Sequence, residues 1–238
     1  MPKPRDGILT VREITAPDDV ALRPAYALLR KTFPPTERVP IHEWRDTLRE
    51  REAGLWTDLA WHLFVAERNG KVLGLASGTY VGNVNLGVIG YLAASPEARG
   101  LGTGTRLRVH LRAAFQRDAK RLTGESLAGI LGEVSKTNPW LAHLSRNPRV
   151  LILDLEYFQP RLYPSDEPSP FVLYYESTDG PRRSIPVSEL KRILYAVWRR
   201  VYRVRRPLER PAFRAMLRSL QGRRTVGRRP LTARRRGK

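Results

Sequence analysis

Short stretches that alternate apolar and polar residues recur through the first hundred positions of the chain. Ile8–Ile14 alternates as a half-buried strand does. Trp61–Arg68 and Lys71–Val81 flank Asn69-Gly70, a pair that favours a two-residue hairpin turn because both turn positions take positive φ. Val84–Ala94 continues the pattern. We therefore predict one early strand and then three consecutive antiparallel strands.

Apolar residues that recur every three or four positions predict helices around these strands. One helix is predicted over 18–33 and a second over Pro40–Ala53, with a proline-containing joint between them. The longest is predicted over Thr103–Leu122, with an apolar stripe made of Leu107, Leu111, Ala114, Phe115 and Leu122. Asn138-Pro139 predicts the start of a short helix, because Asn caps helices well and Pro is tolerated at the first helical position.

Three more strands complete the predicted domain. Leu127–Val134 is a buried apolar run, Val150–Phe158 alternates throughout, and Phe171–Ser177 is the last strand. The order βααβββαβαββ predicts an α/β (α+β) protein with a mixed, mostly antiparallel seven-stranded sheet flanked by helices. We expect this domain to span residues 8–178.

Positive charge is concentrated at the C-terminal end. The net charge is +20, and Arg199–Lys238 holds sixteen Lys or Arg against one acid. An apolar stripe over Ser188–Arg205 and another over Pro211–Leu220 predict a helical extension, residues 186–222, that packs on the domain or on a second subunit in a homodimer. Arg223–Lys238 has no periodicity, so we expect disorder and, in one interpretation, salt-sensitive contact with nucleic acid.

The remaining composition excludes several classes of function. Cysteine is absent, which excludes disulfides, thiolate nucleophiles and cysteine-based metal sites. The four histidines, among them His62, lack the spacing of metal ligands, so we expect no metal. No apolar run is long enough for a membrane span and no signal segment precedes the first strand, so we expect a cytoplasmic protein.

The candidate chemistry lies where the strand ending at Ala94 leads into the long helix. Gly100, Gly102 and Gly104 permit a tight bend, and a helix N-terminus presents unpaired N–H groups to an anion beside Arg99. The dinucleotide fingerprint is excluded because its third glycine position is Thr105, and a nucleotide-triphosphate loop is excluded because no Gly-Lys-Ser/Thr is present.

The pattern Arg99-x-x-Gly102-x-Gly104, preceded by Leu92-x-Ala94-x-Pro96-Glu97, resembles the acyl-CoA signature of the GNAT superfamily of N-acetyltransferases. The predicted order of elements is also the GNAT order. The resemblance implies acetyl-CoA as co-substrate, with pantetheine and the oxyanion at the backbone of Leu92, Ala93 and Ala94. It also implies that the turn holds the pyrophosphate, through the residues Arg99, Gly100, Leu101, Gly102, Thr103, Gly104 and Thr105.

The catalytic side chains depart from the family pattern. Many members carry a carboxylate base on the fourth strand, where this chain has Gly90 and Tyr91. Glu133, near the end of the next strand, is the candidate base through a water, and a strand-end ion pair is the alternative. The family's tyrosine acid is replaced by Ser145, so the candidate acids are Tyr91 and Tyr157, each of which is alternatively a core tyrosine.

Two residues are candidates for binding alone, and the acceptor stays open. Asn138 aligns with a family cofactor-binding position and is also a helix cap, while Glu37 is a candidate for holding an amine substrate. Small amines, aminoglycosides, amino acids and protein N-termini or lysines all fit the sequence. We predict an N-acetyltransferase acting by direct transfer. The alternative is a catalytically degenerate GNAT-like scaffold that binds RNA or DNA through its basic C-terminus.

Overall fold

The computed structural model describes residues 7–160, 162 and 168–229, and the chain divides into two compact units. The first unit contains the described residues up to Ala128. The second contains Gly129–Pro160 and the described residues from 168 onward. Both are mixed α/β, and every strand pairing within them is antiparallel. The predicted fold class is confirmed.

The first unit is built on four strands, β1 (Thr10–Glu13), β2 (Leu59–Arg68), β3 (Lys71–Val81) and β4 (Leu86–Ala94). Each pairs with the next in chain order. Asn69 and Gly70 join β2 to β3 with φ of 51° and 72°, so the predicted hairpin turn is confirmed. The strands bring the C-terminal end of β4 to the beginning of the long helix.

Three helices cover this sheet, α1 (Leu22–Thr32), α2 (Ile41–Glu52) and α3 (Thr103–Thr123). Leu29 of α1 and Trp44 of α2 pack with Leu75 of β3 in one buried cluster. The apolar stripe of α3 packs on other strand residues, and a Cβ at Gly87 would stand 2.1 Å from the ring of Phe115. The glycine therefore lets α3 lie close to β4.

A buried charge network ties β1, β2 and α3 together. His62 Nδ1 lies 2.7 Å from Glu13 Oε1, and His62 Nε2 lies 2.6 Å from Asp118 Oδ2. Arg51 and Arg121 each donate to one of these carboxylates. Although burial opposes the charge, the hydrogen bonds that the His62 ring donates to Asp118 and Glu13 raise the pKa of His62 overall. The His62 ring thus links three elements, and its two carboxylate partners favour its charged form.

The second unit has four strands that correspond to predicted ones, β5 (Gly129–Val134), β6 (Val150–Ile152), β7 (Tyr157–Gln159) and β8 (Ser169–Ser177). The strands β5, β6 and β7 all pair with β8. The helix α4 (Trp140–Arg146) lies between β5 and β6 in sequence and packs on β6 through Leu144. Glu133 lies on β5.

The prediction of one strand over Val150–Phe158 is wrong, because this stretch forms β6 and β7 with a break between them. Leu153 forms an isolated bridge with Arg228, and Asp154 N–H donates to Gly227 O at 3.0 Å. The backbone of the break therefore pairs with a segment far along the chain. As a result, eight strands stand where the sequence predicted seven.

The C-terminal extension completes the second unit with β9 (Ser184–Pro186), α5 (Val187–Ala196), α6 (Pro211–Ser219) and β10 (Thr225–Gly227). The helix α5 continues as a π-helical turn over Val197–Val201. Phe158 N–H of β7 lies 3.4 Å from Met216 Sδ of α6, so the extension packs on strands of its own chain.

Disorder from residue 223 onward was the wrong expectation for the first part of that stretch. β10 pairs with β9, and Val226 is fully buried at 0% exposure opposite Ile185. Arg223 donates to Asp154 O at 2.9 Å, which ties this part of the chain down. The rest of the predicted disordered tail, 230–238, lies outside the described residues. The predicted boundaries 8–178 and 186–222 stay a prediction.

Candidate functional site

The connection from β4 to α3 forms a tight, left-handed bend. A 3-10 turn over Pro96–Ala98 follows β4, and Gly100 and Gly102 then take φ of 79° and 65°. Side chains disfavour this region of φ, which explains two of the three glycines. Gly102 is the residue before the first helical residue, Thr103.

The backbone N–H groups of the bend fall into two sets. Those of Arg99 and Leu101 donate to Pro96 O and Ala98 O, both at 3.2 Å. Those of residues 102–105 find no acceptor in the part of the chain that the structure describes, and Gly102 supplies no side-chain cap. The first N–H groups of a helix lack intrahelical acceptors and lie at its positive end. This end of α3 is therefore suited to an anion.

Space and charge around the bend agree with that conclusion. A Cβ built at Gly100, Gly102 or Gly104 meets nothing within 4 Å. Arg99 is exposed and forms no ion pair with a described residue, whereas Glu97 is paired with Lys71 at 2.6 Å. Among the described residues, the buried Thr103 Oγ1 also lacks a hydrogen-bond partner. The bend therefore combines open space at its glycines with an unpaired positive charge.

A β-bulge shapes the strand that enters the bend. Ser77 of β3 is paired with Tyr91 and Gly78 with Ile89, which leaves Gly90 as the extra residue of β4. Ser77 Oγ accepts a hydrogen bond from Tyr91 N–H at 3.2 Å. Bulges bend a strand and redirect the residues that follow. The residues that follow are Leu92, Ala93 and Ala94, where the resemblance places pantetheine.

Tyr91 and Glu37, two predicted site residues, are brought together in the first unit. The Tyr91 hydroxyl donates to the backbone carbonyl of Glu37 at 3.0 Å and accepts from Val39 N–H at 3.1 Å. Its ring packs edge-on against Phe33 at 5.2 Å. The hydroxyl therefore holds the joint between α1 and α2. Burial raises the pKa of the Glu37 carboxyl.

Glu133 lies in the second unit between two tyrosines. The Tyr157 hydroxyl donates to Glu133 Oε1 at 2.5 Å, and the Tyr202 hydroxyl donates to Glu133 Oε2 at 2.8 Å. Glu133 forms no ion pair with any residue that the structure describes. The described residues therefore do not form the alternative that the sequence left open, an ion pair between Glu133 and a Lys or Arg at the end of the strand.

Burial dominates the protonation of this carboxyl. It raises the pKa of Glu133 to about 7, although the hydrogen bonds from Tyr157 and Tyr202 favour the ionised form. The same burial, with the nearby carboxylate, raises the pKa of Tyr157 well above its ordinary value. A carboxyl with a pKa near 7 exchanges protons readily at neutral pH, as a general base must.

The remaining predicted positions have structural partners. Asn138 Oδ1 accepts from Trp140 N–H at 2.9 Å, as a cap at the start of α4 does. Ser145 Oγ donates to Ala142 O at 2.8 Å. The proposed ligand-binding role of Asn138 stays a prediction.

Sequence reasoning missed Tyr202, which contacts Glu133 across 69 positions of sequence. Its only local signal was its place beside the apolar stripe of the extension, and such a stripe does not reveal what it covers.

Within the described ranges, no helix is long and apolar enough to cross a membrane. The same residues contain no group of three or more His, Asp or Glu placed as metal ligands.

The part of the chain that contains the bend matches a family model. Residues 22–127 match the model of the Acetyltransferase (GNAT) family, and this stretch includes β4, the bend and α3. The search of curated proteins finds no match.

Solved structures share the fold at low identity. A putative GNAT-family acetyltransferase from Bacteroides thetaiotaomicron is similar with a TM-score of 0.59 and 17% identity, over 82% of this chain and 99% of that one. A ribosomal-protein-alanine N-acetyltransferase from Brucella melitensis has a TM-score of 0.50 and 17% identity, over 71% and 99%. Residues 22–127 thus match the GNAT acetyltransferase family, and the fold of the chain is similar to that of a solved GNAT-family structure.

Proposed function

We propose that this protein transfers an acetyl group from acetyl-CoA to an amine acceptor by direct attack. The observation that carries the proposal is the bend at 99–105, where unpaired N–H groups, glycines with open space and the exposed Arg99 lie within the family-matched stretch. These features suit a diphosphate, which carries negative charge and needs close approach of the backbone.

The reaction needs few specialised side chains. The amine nitrogen attacks the thioester carbon, the C–S bond breaks, the amine loses a proton and the leaving thiolate gains one. Holding the two reactants in near-attack geometry supplies ~7–11 kcal/mol of the barrier. The proposed roles are binding of the diphosphate by the bend and binding of pantetheine and the oxyanion by the backbone of Leu92–Ala94.

Glu133 is the proposed base, and it takes the amine proton through a water. Its pKa of about 7 supports this role, because an ordinary carboxylate is a weaker base at neutral pH. Tyr91 is the proposed proton donor to the thiolate. It must then exchange its hydrogen bond to Glu37 O for one to the leaving group.

Two measurements test the proposal. Acetyl-CoA and CoA should raise the melting temperature, whereas NAD and ATP should not, because only a ligand of the native state stabilises it. A panel of amine acceptors, followed by release of free thiol, should then identify a substrate. Equal stabilisation by ATP, or none by acetyl-CoA, contradicts the proposal.

A nucleic-acid-binding scaffold is the second candidate, and one observation favours it. Arg210, just before α6, and Arg214 and Arg218 within it recur every four residues, and all three are exposed. None of them forms an ion pair with a described residue. Salt-sensitive retention of the full chain on a polyanion column, lost when these three arginines become glutamine, supports this candidate.

A further inference from the structure

The Glu133 carboxylate is held from two directions by hydroxyl groups of different segments. Tyr157 belongs to β7, whereas Tyr202 follows the π-helical turn at the end of α5. We infer that Tyr202, in the C-terminal extension, is a positioning residue that orients Glu133 and sets the protonation of its carboxyl. The role of Tyr202 in catalysis rests on the proposed function. Its control of the orientation and protonation of Glu133 rests on the geometry.

The hydrogen bonds give the Tyr202 hydroxyl a defined direction. Gln159 Nε2 donates to the Tyr202 oxygen at 2.9 Å, and the Tyr202 hydroxyl lies 2.8 Å from Glu133 Oε2. Because an amide NH₂ can only donate, the phenol must accept from Gln159 and direct its own hydrogen to the carboxylate. Each Glu133 oxygen thus accepts one phenolic hydrogen bond, and the carboxyl plane is fixed.

The end of α5 is built to bring Tyr202 to this place. Tyr202 N–H donates to Val197 O, five residues back, at 3.0 Å, and Val204 N–H donates to Trp198 O at 2.9 Å. Arg203 then takes a φ of 54° and ends the helical path. π-helical turns are rare in proteins, and those that occur are often found at functional sites. Trp198, 1% exposed, packs on Phe213 of α6 and anchors the turn.

Besides burial, only two phenols of the described residues affect the protonation of Glu133. The titratable groups that face the Glu133 carboxyl are the Tyr157 and Tyr202 phenols, and the Trp198 indole N–H acts on Tyr157. Among the described residues, no Lys or Arg pairs with Glu133. Removing the Tyr202 hydroxyl takes away a hydrogen bond that favours the ionised form, so the pKa of Glu133 must rise above its value of about 7.

The family match ends at residue 127, so Tyr202 lies beyond the matched stretch. The C-terminal extension is therefore assigned a role in the chemistry of Glu133 that is separate from any contact with nucleic acid. A phenol that only filled space would leave the protonation of Glu133 unchanged when its hydroxyl is removed.

The test compares Tyr202→Phe with Tyr195→Phe in the full chain. Tyr195 is the matched control, because it lies on α5, is 43% exposed and contacts Phe213 rather than Glu133. The titration of the Glu133 carboxyl is followed by ¹³C NMR, with Glu133→Gln to assign the signal. The acid limb of the pH profile for acetyl transfer is measured in parallel.

The expected result is an upward move of the Glu133 titration and of the acid limb in Tyr202→Phe, with both unchanged in Tyr195→Phe. A Glu133 titration at the same pH in Tyr202→Phe and the wild type overturns the inference, even if that variant is less stable. A shifted titration in a protein that does not bind acetyl-CoA contradicts the proposed function instead, and leaves the control of Glu133 by Tyr202 standing.

Discussion

Replacing Glu133 with glutamine should change how the stability of the protein depends on pH. The pKa of Glu133 is about 7 in the folded protein against an ordinary value of 4.5, so the native state binds more protons than the unfolded state between these values. Its contribution is therefore greatest below pH 4.5, falls as the pH rises to about 7, and is constant above that.

The size of the effect follows from the same two values. Each pKa unit corresponds to ~1.4 kcal/mol, so the gap between 4.5 and about 7 corresponds to about 3 kcal/mol of unfolding free energy. Glutamine cannot titrate, so Glu133→Gln should gain stability relative to the wild type, by up to this amount, as the pH is raised from 4.5 to 8.

Urea denaturation of both proteins across this pH range measures the effect. Groups that titrate alike in both proteins, such as His62, cancel in the difference between wild type and variant. A difference that stays constant across the range refutes the reasoning, because it would mean that Glu133 titrates near its ordinary pKa in the folded state.

Three other substitutions have expected outcomes that urea denaturation can measure. Gly102→Ala should cost roughly 1–2 kcal/mol, because alanine resists a φ of 65°, and stability equal to the wild type contradicts this. His62→Ala should cost roughly 1.5–3 kcal/mol at pH 6, because Glu13 and Asp118 lose their hydrogen bonds to the imidazole and keep only those from Arg51 and Arg121. The stability lost in His62→Ala should shrink as the pH rises through the raised pKa of His62. A loss that does not depend on pH would contradict this prediction. Tyr91→Phe should cost about 1–3 kcal/mol, because Val39 N–H loses its acceptor, and an unchanged urea midpoint counts against that bond.

Local features of the sequence predicted the bend and the hairpin because neighbouring residues determine them. Gly100 and Gly102 lie at positive φ, as do Asn69 and Gly70, and Gly and Asn adopt positive φ more readily than other residues do. The helix after the bend was likewise predicted from its periodic apolar stripe, and α3 ends one residue beyond the predicted Leu122.

Contacts between distant parts of the chain were not predictable in this way. The break between β6 and β7 depends on Leu153 pairing with Arg228, and alternation of side chains does not reveal a change of partner. The partners of Glu133 were missed for the same reason, since Tyr202 lies 69 positions away on an extension whose docking surface no local pattern specifies.

The account depends most on the claim that the bend between β4 and α3 binds the diphosphate of an acyl-CoA. Calorimetric titration of CoA into the wild type and Gly104→Ala tests it directly. Gly104 is helical without positive φ and faces open space, so alanine should preserve or raise stability while its methyl group obstructs the diphosphate. We predict binding by the wild type and about tenfold weaker binding, ~1.4 kcal/mol, by the variant. Equal affinity in the two proteins, or no binding to the wild type, would contradict the account.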